Sequence, residues 1–303
     1  MILYKRSIYE GKELYMRLTD KRLLPYYLIA LLMIIASIGA VCVIVLTSDL
    51  FREEETTTTE PSTVIMNDDI PWYADIPASA FQAEKFAYND GRIEYNDSDV
   101  GFSTGVDVSS FQGNIDWEKV AADGIEFAII RAGFRGYGES GSIHKDDNAE
   151  KNIKGANAAG LSVGVYFYSQ AISVEEAIEE ADFVLSIIKK HKITAPVVFD
   201  WENEPDINMR TDNLDGTTLT DCAVAFCERI RSAGYMPAVY FNLTDAYQRY
   251  DLSRIKDYTL WYAQHRGTSP EFYYNYNIWQ YSDSGTVNGI KGNVDLNISF
   301  NVG

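Results

Sequence analysis

The chain has 303 residues and a formal net charge of −18, with 46% hydrophobic and 23% charged residues. These proportions are close to those of ordinary globular proteins and exclude both wholesale disorder and a polytopic membrane protein. Residues 49–100 hold thirteen acidic against three basic side chains, and residues 101–303 hold twenty-eight against seventeen. Because binding to phosphates needs a basic surface, this distribution excludes nucleic acid as a partner.

An uncharged stretch runs from Leu23 to Ser48, and its apolar part of 24 residues exceeds the roughly 20 that cross a bilayer core. Lysines and arginines precede this stretch and acidic residues follow it, so the positive-inside bias places the N-terminus in the cytoplasm. The sequence therefore predicts a single-pass protein of the cell membrane whose later residues are extracellular. The alternative is a cleaved signal peptide, which has a shorter apolar core of about 7–15 residues.

Composition predicts four segments: a cytoplasmic basic segment (1–22), a transmembrane helix (23–48), an acidic extracellular linker (49–100) and a folded domain (101–303). The linker begins with REEETTTTEPST, which is too polar to form a core. Aromatic residues interrupt the acidic ones from residue 64 onward, so the sequence leaves open whether 64–100 packs on the folded domain.

Strand-like and helix-like patterns alternate after residue 101. The predicted strands are Gly105–Ser109, Phe127–Ala132, Ser162–Ser169, Pro196–Glu202, Pro237–Asn242, Thr259–Ala263, Asn277–Tyr281 and Val294–Ile298. The predicted helices are Trp117–Asp123, Asp146–Ala159, Val174–Lys190 and Leu219–Ala233. Apolar runs such as FAIIRA are typical of parallel strands covered on both faces. The predicted fold class is therefore α/β, a TIM-like β/α barrel of eight strands with shortened late helices, whose active site lies at the carboxyl ends of the strands.

Two carboxylates, Asp200 and Glu202, end the strand that reads VVFDWEN. Residues two apart on a strand point to the same face, so both side chains should enter one site. Asp107 lies near the end of the first strand and Asp295 lies in the last, and these strands are neighbours in a closed barrel. The alternative, a solvated surface pair at Asp200 and Glu202, is disfavoured by the apolar run that precedes them.

Clustered carboxylates without metal-binding partners suit glycoside hydrolysis, which needs one acid held protonated by a neighbouring negative charge. Glu202 fits the proton donor and Asp200 its partner. Aromatic residues near the strand ends could stack on sugar rings or fill the core: Tyr166, Tyr168, Tyr240, Trp261 and Trp279. The three histidines stand apart and no cysteines are paired, so the sequence predicts no metal and no other cofactor.

Eight segments in order carry a family resemblance: GVDVSSFQGNIDW, FAIIRAGF, GLSVGVYFYSQA, VVFDWEN, PAVYFN, LWYAQ, IWQYS and GNVDLN. Over about residues 103–300 the chain resembles the family-25 glycoside hydrolases, the N-acetylmuramidase lysozymes. The resemblance implies a β/α barrel that hydrolyses the β-1,4 bond between N-acetylmuramic acid and N-acetylglucosamine in peptidoglycan strands. It implies Glu202 as general acid, with Asp200, Asp107 and Asp295 as its carboxylate partners. It also implies sugar contacts from Gln280 and from either Tyr166 or Tyr168.

Two alternatives remain beside this muramidase, which would remodel or lyse the cell wall. One is a catalytically inactive barrel that only binds glycan, and the other is a glycosidase of another N-acetylhexosamine polymer. Inactive relatives of enzymes usually lose the catalytic acid, whereas all four carboxylates are present in this sequence.

Overall fold

The computed structural model of the chain describes residues 70–203 and 208–301. Its strands are β1 (Phe86–Asn89), β2 (Arg92–Tyr95), β3 (Gly101–Val108), β4 (Phe127–Arg135), β5 (Ile143–Lys145), β6 (Ser162–Tyr168), β7 (Val197–Asp200), β8 (Pro237–Asn242), β9 (Thr259–Ala263), β10 (Ile278–Gly285) and β11 (Val294–Asn301). Its α-helices are α1 (Trp117–Ala122), α2 (Ala149–Ala158), α3 (Val174–Ile188), α4 (Gly216–Ser232), α5 (Leu243–Gln248) and α6 (Leu252–Ile255). Short 3₁₀ turns cover Ala83–Lys85 and Ser110–Gln112.

Eight strands of the described residues close into a barrel in the order β3-β11-β10-β9-β8-β7-β6-β4, with β4 pairing back to β3. The short strand β5 extends this sheet beside β4. The predicted eight-stranded barrel is confirmed, and all eight predicted strands and four predicted helices are present to within a few residues. The hairpin β1–β2, strand β5 and helices α5 and α6 were not predicted.

The last strand runs against the direction of its neighbours. Six neighbouring pairs are parallel: β3–β4, β4–β6, β6–β7, β7–β8, β8–β9 and β9–β10. By contrast, β11 is antiparallel to both β10 and β3. A parallel return needs a crossover of about a dozen residues or more, and the short loop 286–293 cannot supply one. The start of β11 therefore lies at the same end of the barrel as the carboxyl ends of the other strands.

Alternation along each strand divides the apolar residues into two cores. Phe127, Ile129, Val198 and Ile278 belong to a cluster inside the barrel. Phe199 of β7 points outward instead and meets Phe226 of α4, with ring centroids 5.5 Å apart. The interior is thus apolar toward the base of the barrel, where the parallel strands begin. Polar side chains occupy its upper end, where these strands end.

The segment from residue 70 to 100 packs on the outer face of the barrel. The helices pack mainly against β4, β6, β7 and β8, whereas β2 contacts β3 and β11. The rings of Phe81, Phe86 and Tyr95 surround Phe300 of β11, with centroids 4.0, 6.0 and 5.5 Å from it. Ile93 is only 1% exposed. The N-terminal segment therefore covers apolar strands on the side of the barrel away from the main helices.

The predicted basic segment (1–22) and transmembrane helix (23–48) lie outside the described residues, as does the linker up to residue 69. Within the part of the chain that the structure describes, no helix combines the length and the apolar character needed to cross a bilayer.

The packing of the N-terminal hairpin generates a stability prediction. Ile93→Ala should lower the free energy of unfolding by about 2–5 kcal/mol, because it removes a buried side chain that joins the hairpin to the barrel. Tyr88→Ala on the same hairpin should change it by less than about 0.5 kcal/mol, because Tyr88 is 60% exposed. Urea unfolding of both variants measures this difference. Equal small effects would show that the hairpin contributes nothing to the fold.

Candidate active site

A cavity of about 460 Å³ opens at the carboxyl ends of the parallel strands. It is lined by nine of the ten predicted site residues: Asp107, Tyr166, Tyr168, Asp200, Glu202, Tyr240, Trp261, Gln280 and Asp295. These residues come from seven strands and from the turn that follows β7. The fold thus gathers side chains that are up to 188 positions apart in the sequence, such as Asp107 and Asp295.

Trp279 is the exception, and its predicted sugar contact is wrong. Its ring lies on the outer face of β10, 5.4 Å from the ring of Phe86, and its Nε1 donates to the carbonyl of Gln264. The adjacent residue Gln280 points into the cavity. Neighbouring residues on a strand face opposite sides, so Trp279 and Gln280 cannot both reach the substrate.

Asp200 and Glu202 enter the cavity together, as their spacing predicts. Asp200 is the last residue of β7 and is 5% exposed, whereas Glu202 follows the strand and is partly exposed. Trp201 lies between them and is buried on the opposite side, beneath the guanidinium of Arg249. The carbonyl of Asp200 accepts a 2.7 Å hydrogen bond from the amide of Ser169, which ties the ends of β7 and β6 together.

Both predicted tyrosines on β6 line the cavity, so the structure does not select one over the other. Tyr168 lies closer to the carboxyl end of β6, where the negative charges of Asp200 and Glu202 help to raise the pKa of its hydroxyl. Tyr166 lies deeper, and its ring meets that of Trp261 edge-on at 6.3 Å. Burial raises the pKa of both tyrosines well above the ordinary value, so both hydroxyls stay protonated.

Asp107 and Asp295 form a carboxyl pair across neighbouring strands. They are direct partners in the register of β3 and β11, and their carboxyl groups are hydrogen-bonded to each other. Asp107 Oδ2 also accepts 2.8 Å hydrogen bonds from Gln280 Nε2 and from Asn297 Nδ2. Two amide donors on Asp107 favour its anionic form.

The proton of this pair resides on Asp295. Burial and the nearby negative charge of Asp107 raise the pKa of Asp295 to about 9. Burial also raises the pKa of Asp107, but its hydrogen bonds from Asn297, Gln280 and Asp295 oppose that rise. At neutral pH the pair therefore holds one negative charge, on Asp107, and one neutral carboxyl, on Asp295, whose O–H donates to Asp107.

The amide of Gln280 is held in one orientation by two further residues. Its Oε1 lies 2.9 Å from the hydroxyl of Tyr240, which donates to it, and 2.8 Å from His265 Nε2. With its oxygen occupied in this way, the amide nitrogen faces Asp107. On the other side, Trp261 Nε1 donates to Asn297 Oδ1 at 2.8 Å and orients that amide similarly.

Sequence reasoning missed His265 and Asn297. His265 has no histidine or cysteine nearby in the sequence, and its partners in space, Gln280 and Asp283, both come from β10. Asn297 stands two residues after Asp295 on the same strand, so period-two alternation from Asp295 was a signal that could have found it. Three aromatic residues and one arginine that also line the cavity were missed as well: Phe111, Phe134, Tyr137 and Arg131.

The cavity is acidic. Five carboxyl residues line it, namely the four predicted ones and Asp283, against one lysine or arginine, Arg131, among the described lining residues. Over residues 70–203 and 208–301, no group of three or more His, Cys, Asp or Glu side chains is arranged to hold a metal ion.

The raised pKa of Asp295 generates a prediction about stability and pH. Because the folded value of about 9 exceeds the ordinary 3.8, the folded state keeps a proton that the unfolded state releases, and stability falls as the pH rises between them. Asp295→Asn removes this titration and keeps a donor toward Asp107. We expect its gain in melting temperature over the wild type to be larger at pH 8 than at pH 4.

Asp147→Asn is the matched control for this experiment, because Asp147 is exposed and does not line the cavity. Its melting temperature should follow that of the wild type at both pH values. A gain for Asp295→Asn that is the same at pH 4 and pH 8 would mean that Asp295 is ionised in the folded protein.

The sequence model of the family described as glycosyl hydrolases family 25 matches residues 106–290. The autolytic lysozyme of Clostridium acetobutylicum is 29% identical over 192 residues, which are 63% of this chain and 54% of that relative. Lysozyme M1 of Streptomyces globisporus is 26% identical over 209 residues, 66% of this chain and 68% of that relative. The chain thus spans about half the length of the first of these relatives and about two thirds of the second.

Two solved structures resemble the barrel. One is the modular autolysin LytC from Streptococcus pneumoniae in complex with a synthetic peptidoglycan ligand, with a TM-score of 0.59 and 25% identity over 70% of this chain and 51% of that one. The other is the lysozyme from Streptomyces coelicolor, with a TM-score of 0.55 and 26% identity over 66% of this chain and 92% of that one.

Proposed function

The chain belongs to family 25 of the glycosyl hydrolases, and from that premise we propose that it hydrolyses the β-1,4 bond between N-acetylmuramic acid and N-acetylglucosamine in peptidoglycan. In this proposal Glu202 is the general acid and Asp200 is its partner. The observation that carries the proposal is the convergence of Asp200, Glu202 and the Asp107–Asp295 pair on one cavity.

The placement of Asp200 and Glu202 supports glycoside hydrolysis. That reaction needs a proton donor at the leaving oxygen and negative charge near the sugar ring, which becomes positively charged in the transition state. Glu202 is partly exposed where the cavity opens, which suits donation to the oxygen of a bound strand. Asp200 is buried below it and would stabilise the developing positive charge.

The Asp107–Asp295 pair adds a second polar contact for the substrate. Because Asp295 donates its one O–H to Asp107, its other oxygen is an acceptor at the cavity wall, and the N–H of an N-acetyl group is a matching donor. The two oriented amides keep Asp107 anionic, so the proton stays on Asp295 and the second oxygen of Asp295 stays neutral.

The choice of peptidoglycan rests on the relatives. Two of them carry the name lysozyme, and the structure of LytC was determined with a synthetic peptidoglycan ligand. The cavity volume of about 460 Å³ lies in the usual range of ligand sites, so it would hold only part of a glycan strand.

Replacement of the proposed general acid tests the function directly. Glu202→Gln should lower the rate of bond cleavage by about 10²–10⁴-fold, because the amide cannot donate the proton. The measurement is the release of reducing ends from purified peptidoglycan, followed by borohydride reduction and identification of the reduced sugar. Glu118→Gln, on the exposed face of α1, is the control that should keep wild-type activity.

Each outcome selects among the three candidate functions. Reduced N-acetylmuramic acid identifies a muramidase, whereas reduced N-acetylglucosamine alone would identify a different glycosidase. Binding without any release of ends would identify an inactive glycan-binding barrel. Retention of more than about a tenth of the activity by Glu202→Gln would remove that residue from the role of general acid.

We further propose that the domain acts outside the cell, held to the membrane by the helix predicted at 23–48. An acidic domain has no electrostatic attraction to an anionic cell wall. A membrane tether would therefore have to raise the local concentration of the domain at the wall. The chain starting at residue 70 should then cleave isolated wall fragments as fast as the full chain. It should fail to replace the full chain in cells at equal copy number.

A complementation assay beside a fragment-digestion assay checks this proposal. Full complementation by the shortened chain would mean that the N-terminal segment only delivers the protein across the membrane. The shortened chain starts at residue 70 because the hairpin β1–β2 packs on the barrel.

A further inference from the structure

Phe111 is the most exposed of the large hydrophobic side chains in the described part of the chain, with 84% of its surface accessible, and it stands at the rim of the cavity. A single exposed apolar residue is common on protein surfaces. Phe111 differs from that common case because its backbone and its ring are both held in place next to a substrate site.

The turn that carries Phe111 is fixed by its own hydrogen bonds. The Oγ of Ser109 accepts from the amide of Phe111 at 3.2 Å, and the amide of Ser109 donates to Gln112 Oε1 at 2.9 Å. The amide of Ser110 donates to Asp146 Oδ2 at 2.9 Å. The turn therefore presents Phe111 in one direction.

Arg131 supports the ring of Phe111 from below. Its Nε and Nη2 both bond to the buried Asp146 at 2.9 Å, and Nη2 also donates to Ser110 Oγ at 3.2 Å. The guanidinium carbon lies 4.8 Å from the centre of the Phe111 ring and 5.4 Å from that of Phe134. Contacts of this kind are cation–π interactions and restrict the ring.

The same side of the cavity carries a second exposed aromatic, Tyr137, which is 41% exposed and meets Tyr168 edge-on at 6.1 Å. A fixed aromatic face beside a polar cavity suits the apolar face of a sugar ring, because stacking removes both surfaces from water. Arg131 lines the cavity and supplies N–H donors for the oxygens of that sugar.

We propose that Phe111, supported by Arg131, forms an outer subsite that binds a further N-acetylhexosamine ring of the glycan strand, beyond the two sugars joined by the scissile bond. This inference rests on the proposed function and names a part of the substrate site that the four carboxylates do not cover. The occupant is a sugar of the same strand because the subsite is continuous with the cavity.

The test uses the full chain and peptidoglycan strands freed of their stem peptides. Phe111→Ala should raise KM for long strands about tenfold and leave kcat unchanged, because the outer ring contributes to binding and not to the reaction. Phe111→Trp should keep KM within about twofold of the wild type. Tyr88→Ala, an exposed aromatic on the N-terminal hairpin, is the control and should change neither constant.

Substrate length separates an outer subsite from the cleavage site. A short substrate with a chromogenic leaving group at the scissile bond should be cleaved equally by the wild type and by Phe111→Ala. An equal loss on short and long substrates would place Phe111 at the cleavage site and overturn the proposal, as would no loss on either. A loss confined to strands that keep their stem peptides would show that the occupant is the peptide.

A binding measurement keeps this inference distinct from the proposed reaction. In the Glu202→Gln background, titration calorimetry with peptide-free strands should give a Kd about tenfold higher when Phe111→Ala is added. If the wild type binds these strands in a Phe111-dependent way but releases no ends, the proposed hydrolysis fails and the subsite stands. Unchanged binding in the double variant would overturn the subsite whatever the activity.

Discussion

The antiparallel pairing of β11 with β3 is the constraint on which the candidate site depends. It sets Asp295 directly opposite Asp107, so that two carboxyl groups lie in hydrogen-bond contact in a buried position. Two like charges at this distance are too costly to coexist in low dielectric, and the pair keeps one proton at neutral pH. With a parallel β11, residue 295 would lie at the base of the barrel and the cavity would lose its neutral carboxyl.

The rest of the polar cluster serves to keep that proton in one place. Gln280 and Asn297 each donate to the same oxygen of Asp107, and each is oriented by a further donor, from Tyr240 and from Trp261. Every one of these four side chains is nearly inaccessible to solvent. Because each side chain in this network has a hydrogen-bond partner, the network is rigid. A rigid network keeps one carboxyl of the pair neutral and the other ionised.

The barrel obtains its outer cover from two sources. Helices shield the strands from β4 to β8, and the segment from residue 70 to 100 shields β3 and the last strands with an aromatic cluster around Phe300. The short connection that reverses β11 has no room for a helix, so this side of the barrel needs a cover from elsewhere in the chain. The N-terminal layer supplies that cover.

Local patterns in the sequence were sufficient to predict the elements and most of the site. Apolar runs and their spacing predicted all eight barrel strands, and period-two alternation placed Asp200 and Glu202 on one face. These features are local, because they follow from residues a few positions apart. Trp279 shows the limit of this reasoning. Where aromatic and polar residues follow one another directly, as in Trp279-Gln280-Tyr281, composition does not say which of them face the interior of the barrel, and the structure places Gln280 there.

The state of the carboxyl pair and the role of the N-terminal segment became defined only in the folded barrel. Each depends on groups that are distant in the sequence. The pKa of Asp295 is set by burial and by Asp107, and the environment of Gln280 is completed by Tyr240 and His265. The exposure of Phe111 likewise follows from Arg131 and Asp146, which hold its turn at the rim. Electrostatics and burial act through space, so they become defined only when the chain has closed the barrel.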